Sequence, residues 1–232
     1  MRSTYQESPL AGSPSMYRVI LALLNFVAAI AIVAALAVQI TDQVLNDAFI
    51  PERYFSYFTI QTSLANILVL VLSGFVGLQS VRDSGAMAAL RANFVAYAII
   101  TGAVYNVLLR DLPSAPGAYV SPTQWPNEIT HVWIPLYFAL DWILNPHRHK
   151  LPGWTMIAVT AFPLAWLGFT LTRGHLTGWY PYAFLNPGGP AGWGGVWIYV
   201  AGIAVIILAL VSATALVNLI HHKLHPANQL DS

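Results

Sequence analysis

Residues 19–40 read VILALLNFVAAIAIVAALAVQI, with Arg18 just before the run and Asp42 just after it. An uncharged apolar stretch of this length meets the roughly 20 residues that a helix needs to cross a bilayer. Working outward, the pattern repeats. Tyr54 to Val81 is uncharged between Arg53 and Arg82, and Ala92 to Leu109 is bounded by Arg91 and Arg110. Ile129 to Leu144 carries one charge, Asp141, and Leu151 to Thr172 carries none. A last run from Trp193 to Ile220 ends before His221, His222 and Lys223. The expectation is an all-α polytopic membrane protein, a bundle of six transmembrane helices.

Composition agrees. Of 232 residues, 57% are hydrophobic and 8% charged, where a soluble domain carries about 25% charged residues. A net charge of +1 lacks the basic footprint of a nucleic-acid binder. The absence of cysteine excludes disulfide frameworks, thiolate zinc sites and cysteine nucleophiles. No cofactor is expected. The chain divides into a disordered polar leader over 1–15, a six-helix transmembrane domain over 16–223 and a short cytoplasmic tail over 224–232. Ala35-Leu36-Ala37 resembles a signal-peptide cleavage site, yet the first run exceeds the usual signal core of about 7–15 residues, so a retained helix is expected.

Basic residues set the orientation. With the N-terminus cytoplasmic, inside segments hold Arg2, Arg18, Arg82, Arg91, Arg148, Lys150 and Lys223, and outside segments hold Arg53, Arg110 and Arg173. Both termini are therefore expected in the cytoplasm, with the chain in the plasma membrane. The His221-His222-Lys223-Leu224-His225 tract reads as a juxtamembrane cap on the inner face.

Polar residues inside spans are costly and therefore informative. Thr59, Thr62, Ser63 and Asn66 fall at i, i+3, i+4 and i+7, which makes one helical stripe. The stripe serves either as interhelical hydrogen-bond glue or as a nucleophile and substrate wall. In the fourth span His131 is the one intramembrane histidine. Asn127 lies one turn before it, placed to orient the imidazole through its amide. Pro135 lies one turn after and leaves the His131 carbonyl without its helical donor. Asp141 is ten residues further on, about 15 Å deeper, and is expected to anchor the inner half of the bundle through Arg148 or Lys150. The loop over 172–187, with His175, Trp179 and Tyr180, reads as an aromatic girdle or as a lid over an outer cavity. Alternating topology brings Thr59, His131, Arg110 and His175 to one membrane face. Three N/O groups there, His131, His175 and Glu128, could hold zinc, but His175 has no ligand at close spacing and no metal is expected.

Phe55-Ser56-Tyr57-Phe58-Thr59-Ile60-Gln61-Thr62, Asn127-Glu128-Ile129-Thr130-His131-Val132-Trp133-Ile134-Pro135 running on to Asp141-Trp142, and Gly178-Trp179-Tyr180-Pro181-Tyr182 together resemble bacterial six-helix proteins of the androgen-induced-gene superfamily. The resemblance covers about residues 17–220. Animal members hydrolyse fatty acid esters of hydroxy fatty acids with a threonine nucleophile and a histidine. By motif these roles fall on Thr59 and His131, with membrane lipids and a hydrophobic ester as partners.

The pair is chemically sensible, since a threonine hydroxyl needs an adjacent base and neutral imidazole supplies one. Asn127 completes the expected catalytic set. Gln61, Thr62, Asn66, Arg110, His175, Trp179 and Tyr180 are the expected substrate contacts. Gln61, Arg110 and Tyr180 are candidates for holding the oxyanion. From depth, Thr59 and His131 should lie within about 5 Å of each other along the membrane normal, facing one cavity with Trp179 and Tyr180 nearby. The alternative is a non-enzymatic protein that binds or moves a small lipophilic molecule. Oligomeric state stays open.

Overall fold

The computed structural model describes residues 14–79, 83–111, 119–145 and 148–224. Most of the expected leader, the tail from residue 225, Arg2 and Arg82 lie outside them. Every described element is helical. In order they are α1 (Met16–Leu45), α2 (Pro51–Tyr54), α3 (Phe58–Leu78), α4 (Gly85–Val104) with a π-helical turn at Tyr105–Leu109, α5 (Trp125–Glu128), a second π turn at Ile129–Trp133, α6 (Ile134–Leu144), α7 (Thr155–Thr177), a 3₁₀ turn at Ala183–Leu185 and α8 (Gly192–Leu224). Five helices are long and apolar enough to cross a membrane: α1, α3, α4 with its π turn, α7 and α8. The remaining expected span, 129–144, lies in two consecutive helical pieces, the second π turn and α6, directly preceded by α5. The chain is thus an all-α protein with the helices of a multi-pass membrane protein.

α1 starts at Met16, and Ser15 just before it is its N-cap, the hydroxyl accepting from the Arg18 N–H. Several other boundaries move from their expected places, each for a local reason. Leu224, assigned to the tail, closes α8. The second span does not run on from Tyr54. Ser56 Oγ donates to the Glu52 carbonyl at 2.5 Å, and Trp166 Nε1 donates to the Ser56 carbonyl at 3.0 Å. The helix stops there and restarts at Phe58, so Thr59 is the second residue of α3 rather than a turn or more inside it.

The third span starts before Arg91, which therefore sits inside α4 and is buried. α7 continues through Thr177, so Arg173 and His175 belong to a helix and not to the loop. It ends because Gly178 takes a left-handed φ of 71°, its N–H returning to the Gly174 carbonyl at 2.8 Å. Glycine has no Cβ to oppose that conformation.

α4 sits at the centre. Its Ala88, Ala89, Ala92 and Ala96 are fully buried, and small side chains let neighbouring backbones approach. One apolar cluster joins α4 to α1, α3 and α6, and a second joins it to α7 and α8. α1 packs an alanine-bearing face (Ala28, Ala29, Ile32, Leu36) into the first.

Two prolines shape the joints with α4. A helical proline lacks the N–H that would reach the carbonyl four residues back. For Pro135 that carbonyl is His131, which instead accepts from Asn106 Nδ2 at 3.1 Å. For Pro163 it is Val159, which accepts from the Tyr97 hydroxyl at 2.8 Å. Gly102 makes the first joint possible, because a Cβ there would stand 2.7 Å from the His131 oxygen.

At the opposite end of α6, Asp141 Oδ2 accepts from Arg148 Nη2 at 3.1 Å and from Arg91 Nη2 at 3.4 Å. Arg91 Nη1 lies 2.6 Å from Asp83. Arg148 also reaches the backbone carbonyls of Asp141 and Trp142 and covers the Trp142 ring at 4.1 Å. Arg91 and Arg148, counted above as inner-loop charges, are thus neutralised inside the bundle.

Candidate active site

The two π-helical turns frame the site. π turns offset the side-chain register and recur at functional positions. Here Tyr105, from the first, stacks on the ring of His131, from the second, with centroids 4.0 Å apart and planes 24° from parallel. His131 Nε2 lies 3.3 Å from Thr59 Oγ1. Its Nδ1 lies 3.0 Å from the Asn127 carbonyl oxygen. A carbonyl only accepts, so Nδ1 carries the proton and Nε2 presents a lone pair toward the threonine hydroxyl. The Thr130 hydroxyl, 3.0 Å from the same Nδ1, donates to the Pro126 carbonyl at 3.1 Å.

The contact between Asn127 and His131 differs from the expected one. The backbone carbonyl of Asn127, one turn back along the helix, holds the ring. Its amide oxygen accepts from Gln39 Nε2 at 2.9 Å, and Gln39 accepts from the Tyr54 hydroxyl at 3.0 Å. This relay ties α2 and α5 to α1 and fixes the segment ahead of the histidine.

Thr59 opens onto an apolar cavity of about 120 Å³. α3, α4, α7, the 3₁₀ turn and α8 all contribute to its wall. Leu164 lines it and is 62% exposed, so the cavity reaches the surface of α7. Thr101 adds a second hydroxyl to the wall, buried and without a hydrogen-bond partner among the described residues. His131 does not line the cavity.

The expected contact residues scatter. The Gln61 amide turns back to the Phe55 carbonyl at 3.0 Å, because α3 starts only at Phe58 and leaves that carbonyl outside a helix. Thr62 is fully buried and bonds its hydroxyl to the Phe58 and Thr59 carbonyls. Asn66 is buried about two turns further along, its Oδ1 without a hydrogen-bond partner among the described residues. None of the three lines the cavity.

Arg110 pairs with Glu128 at 2.6 Å and leans over Tyr105 at 5.4 Å, one ring away from His131. The hydrogen bond to Glu128 raises its pKa above the ordinary arginine value. His175 is exposed near the end of α7, since the helix runs past it. With His175 turned away and Glu128 engaged by Arg110, the zinc constellation is not assembled, and no three His, Asp or Glu side chains converge among the described residues.

The aromatic loop is offset from its expected register as well. Tyr180 packs directly onto Gly174. Trp179 stands edge-on to Tyr57 at 5.8 Å, with Arg173 at 4.7 Å and Arg53 at 5.6 Å from its ring centroid. The residues that reach the cavity are Tyr182 and Phe184, stacked at 5.2 Å. The Tyr182 phenol lies beside the start of α3, where Thr59 and Phe58 act on it. Burial pushes this phenol up to about 12, so it stays protonated at neutral pH. Tyr105, Gln39 and Tyr182 were not among the expected site residues, and no periodicity marks them.

No protein-family profile, curated protein or solved structure matches the chain.

Proposed function

We propose that the chain is a lipid-ester hydrolase of the plasma membrane, with Thr59 as nucleophile and His131 as general base. The observation that carries this reading is the 3.3 Å contact between Thr59 Oγ1 and His131 Nε2, with Nδ1 committed to a carbonyl. The apolar cavity that reaches the surface of α7 supports a long-chain substrate that enters from the bilayer. Resemblance of the Thr59 and His131 motifs to the androgen-induced-gene superfamily supports the same chemistry.

Six spans and two cytoplasmic termini complete the proposal. Residues 125–144 are helical throughout, about 30 Å at 1.5 Å per residue, which is one hydrocarbon thickness. With Arg91 and Arg148 set aside as buried pairs, five basic residues on the inner side face three on the outer.

Purified protein in detergent should hydrolyse a long-chain nitrophenyl ester or a branched fatty acid ester. Thr59→Ala and His131→Ala should each lower kcat/KM by at least about 100-fold, or about 2.7 kcal/mol. Activity that survives both substitutions overturns the assignment.

A second reading, a non-enzymatic carrier of a lipophilic molecule, is favoured by one observation: His131 stands off the cavity wall under Tyr105. A fluorophosphonate probe separates the two. Labelling that disappears in Thr59→Ala supports the hydrolase, and ligand-induced thermal stabilisation without labelling supports the carrier.

A further inference from the structure

We propose that Tyr182 is a catalytic residue: its phenol donates to the oxyanion that forms when Thr59 attacks an ester carbonyl. The proposal rests on the hydrolase reading above and supplies what that site otherwise lacks. Acyl transfer needs a donor aimed at the developing charge. Gln61, Arg110 and Tyr180 are each engaged elsewhere, as described, and none lines the cavity.

Tyr182 lines it together with Thr59. Its ring is held on three sides, by Tyr57 at 5.6 Å, Trp166 at 5.9 Å and Phe184 at 5.2 Å. The start of α3 supplies the rest. Its N-cap, Tyr57, offers no side-chain acceptor, and the Tyr57 carbonyl takes the N–H groups of Ile60 and Gln61. The N–H groups of Phe58 and Thr59 are the first two of the helix, which have no intrahelical partner, and the backbones of both residues act on the Tyr182 phenol. A hydroxyl whose oxygen accepts from N–H groups becomes a stronger donor through its own hydrogen. The helix start therefore makes the phenol a stronger donor, beside Thr59 on the same cavity wall.

The step balances. Thr59 Oγ bonds to the ester carbon as its proton passes to His131 Nε2. The carbonyl π pair moves onto oxygen, which accepts from the Tyr182 O–H. Collapse breaks the bond to the alkoxy oxygen, which leaves as the alcohol with the proton from His131. Water, deprotonated by His131, then attacks the acyl-threonine through the same oxyanion; collapse breaks the bond to Thr59 Oγ, which takes that proton back from His131, and the acid is released.

Tyr182→Phe keeps the ring and removes the donor. Expected is a fall in kcat of about 100-fold, with KM within about threefold. Affinity for a long-chain trifluoromethyl ketone, which adds to Thr59 as an oxyanion, should fall in parallel, while affinity for the unfluorinated hydrocarbon analogue stays unchanged. A wild type that depends on Thr59, beside a Tyr182→Phe variant keeping a third or more of its kcat, overturns this proposal alone. A wild type with no Thr59-dependent hydrolysis takes the hydrolase reading down with it. If Tyr182→Phe does not fold, difluorotyrosine placed at position 182 preserves the packing. Ketone affinity should then rise with the greater acidity of the phenol, and an unchanged affinity overturns the proposal.

Discussion

One helical segment, residues 125–144, carries buried polar groups at both ends, and the two ends are built differently. At its C-terminal end, the inner one in the proposed orientation, Asp141, Arg91, Arg148 and Asp83 close on one another, and the guanidinium groups also take backbone carbonyls and an indole face. At its N-terminal end, the outer one in that orientation, His131 uses one nitrogen on a carbonyl and keeps the other for a hydroxyl at a cavity wall. Intramembrane polarity alone therefore does not mark a reactive site. What distinguishes the outer end is an acceptor left for a group that itself meets open space.

The largest effect that tests this contrast belongs to the inner end. Asp141→Leu leaves two buried guanidinium groups short of a carboxylate, and breaking such a pair costs about 3–5 kcal/mol. Thermal unfolding in detergent should register that loss, while kcat per folded molecule stays within about twofold. Hydrolysis lost without a change in stability would erase the distinction between the ends.

Next comes the outer pair. Residues that act as a unit are non-additive, so Thr59→Ala/His131→Ala should be no slower than either single variant, a loss of about 2.7 kcal/mol in each case. Losses that multiply would mean that the two act separately.

Asn106→Leu sharpens the comparison at a smaller scale. It strips the donor from the His131 carbonyl at an exposed position, and such a hydrogen bond contributes about 1 kcal/mol, read as a lowered unfolding midpoint. An unchanged midpoint would mean that another donor, such as water, replaces the amide.

The smallest effects separate side chain from backbone. Asn127→Ala keeps the carbonyl that holds His131 and loses the Gln39 bond, about 1 kcal/mol in stability, with kcat reduced less than tenfold. His175→Ala, at an exposed position, should stay within about 0.5 kcal/mol and leave hydrolysis intact. A large kinetic loss in His175→Ala would bring the aromatic loop back into the site in its expected register.

The helical class was legible because uncharged runs between arginines leave few other structures open, and Pro135 announced a freed carbonyl at His131. The break after Tyr54 was not legible. It depends on Trp166, 110 positions away, capturing the Ser56 carbonyl. Arg91 looked like a span boundary because its partner Asp141 is 50 residues distant. The loop failed for another reason: between Gly178 and the 3₁₀ turn no period links sequence spacing to side-chain direction, so Tyr180 and Tyr182 were indistinguishable until the chain was folded. Thr59 and His131 could be paired because each begins a segment expected to enter from the same membrane face.

The two borrowed hydrogen bonds make α4 something like a camshaft. Tyr97 engages α7 and Asn106 engages α6 from the same rod, so turning α4 about its axis would withdraw both teeth together. The outer halves of α6 and α7 are thereby geared to it. α8 is not. The hydrogen bonds it shares with other elements gather at Thr214 and Asn218, toward its inner end, while its outer half meets the loop through the Phe184–Tyr199 ring contact at 5.1 Å. On that flank of the cavity α8 therefore offers only the grip of apolar packing, through Val200, Ile203 and Ile207.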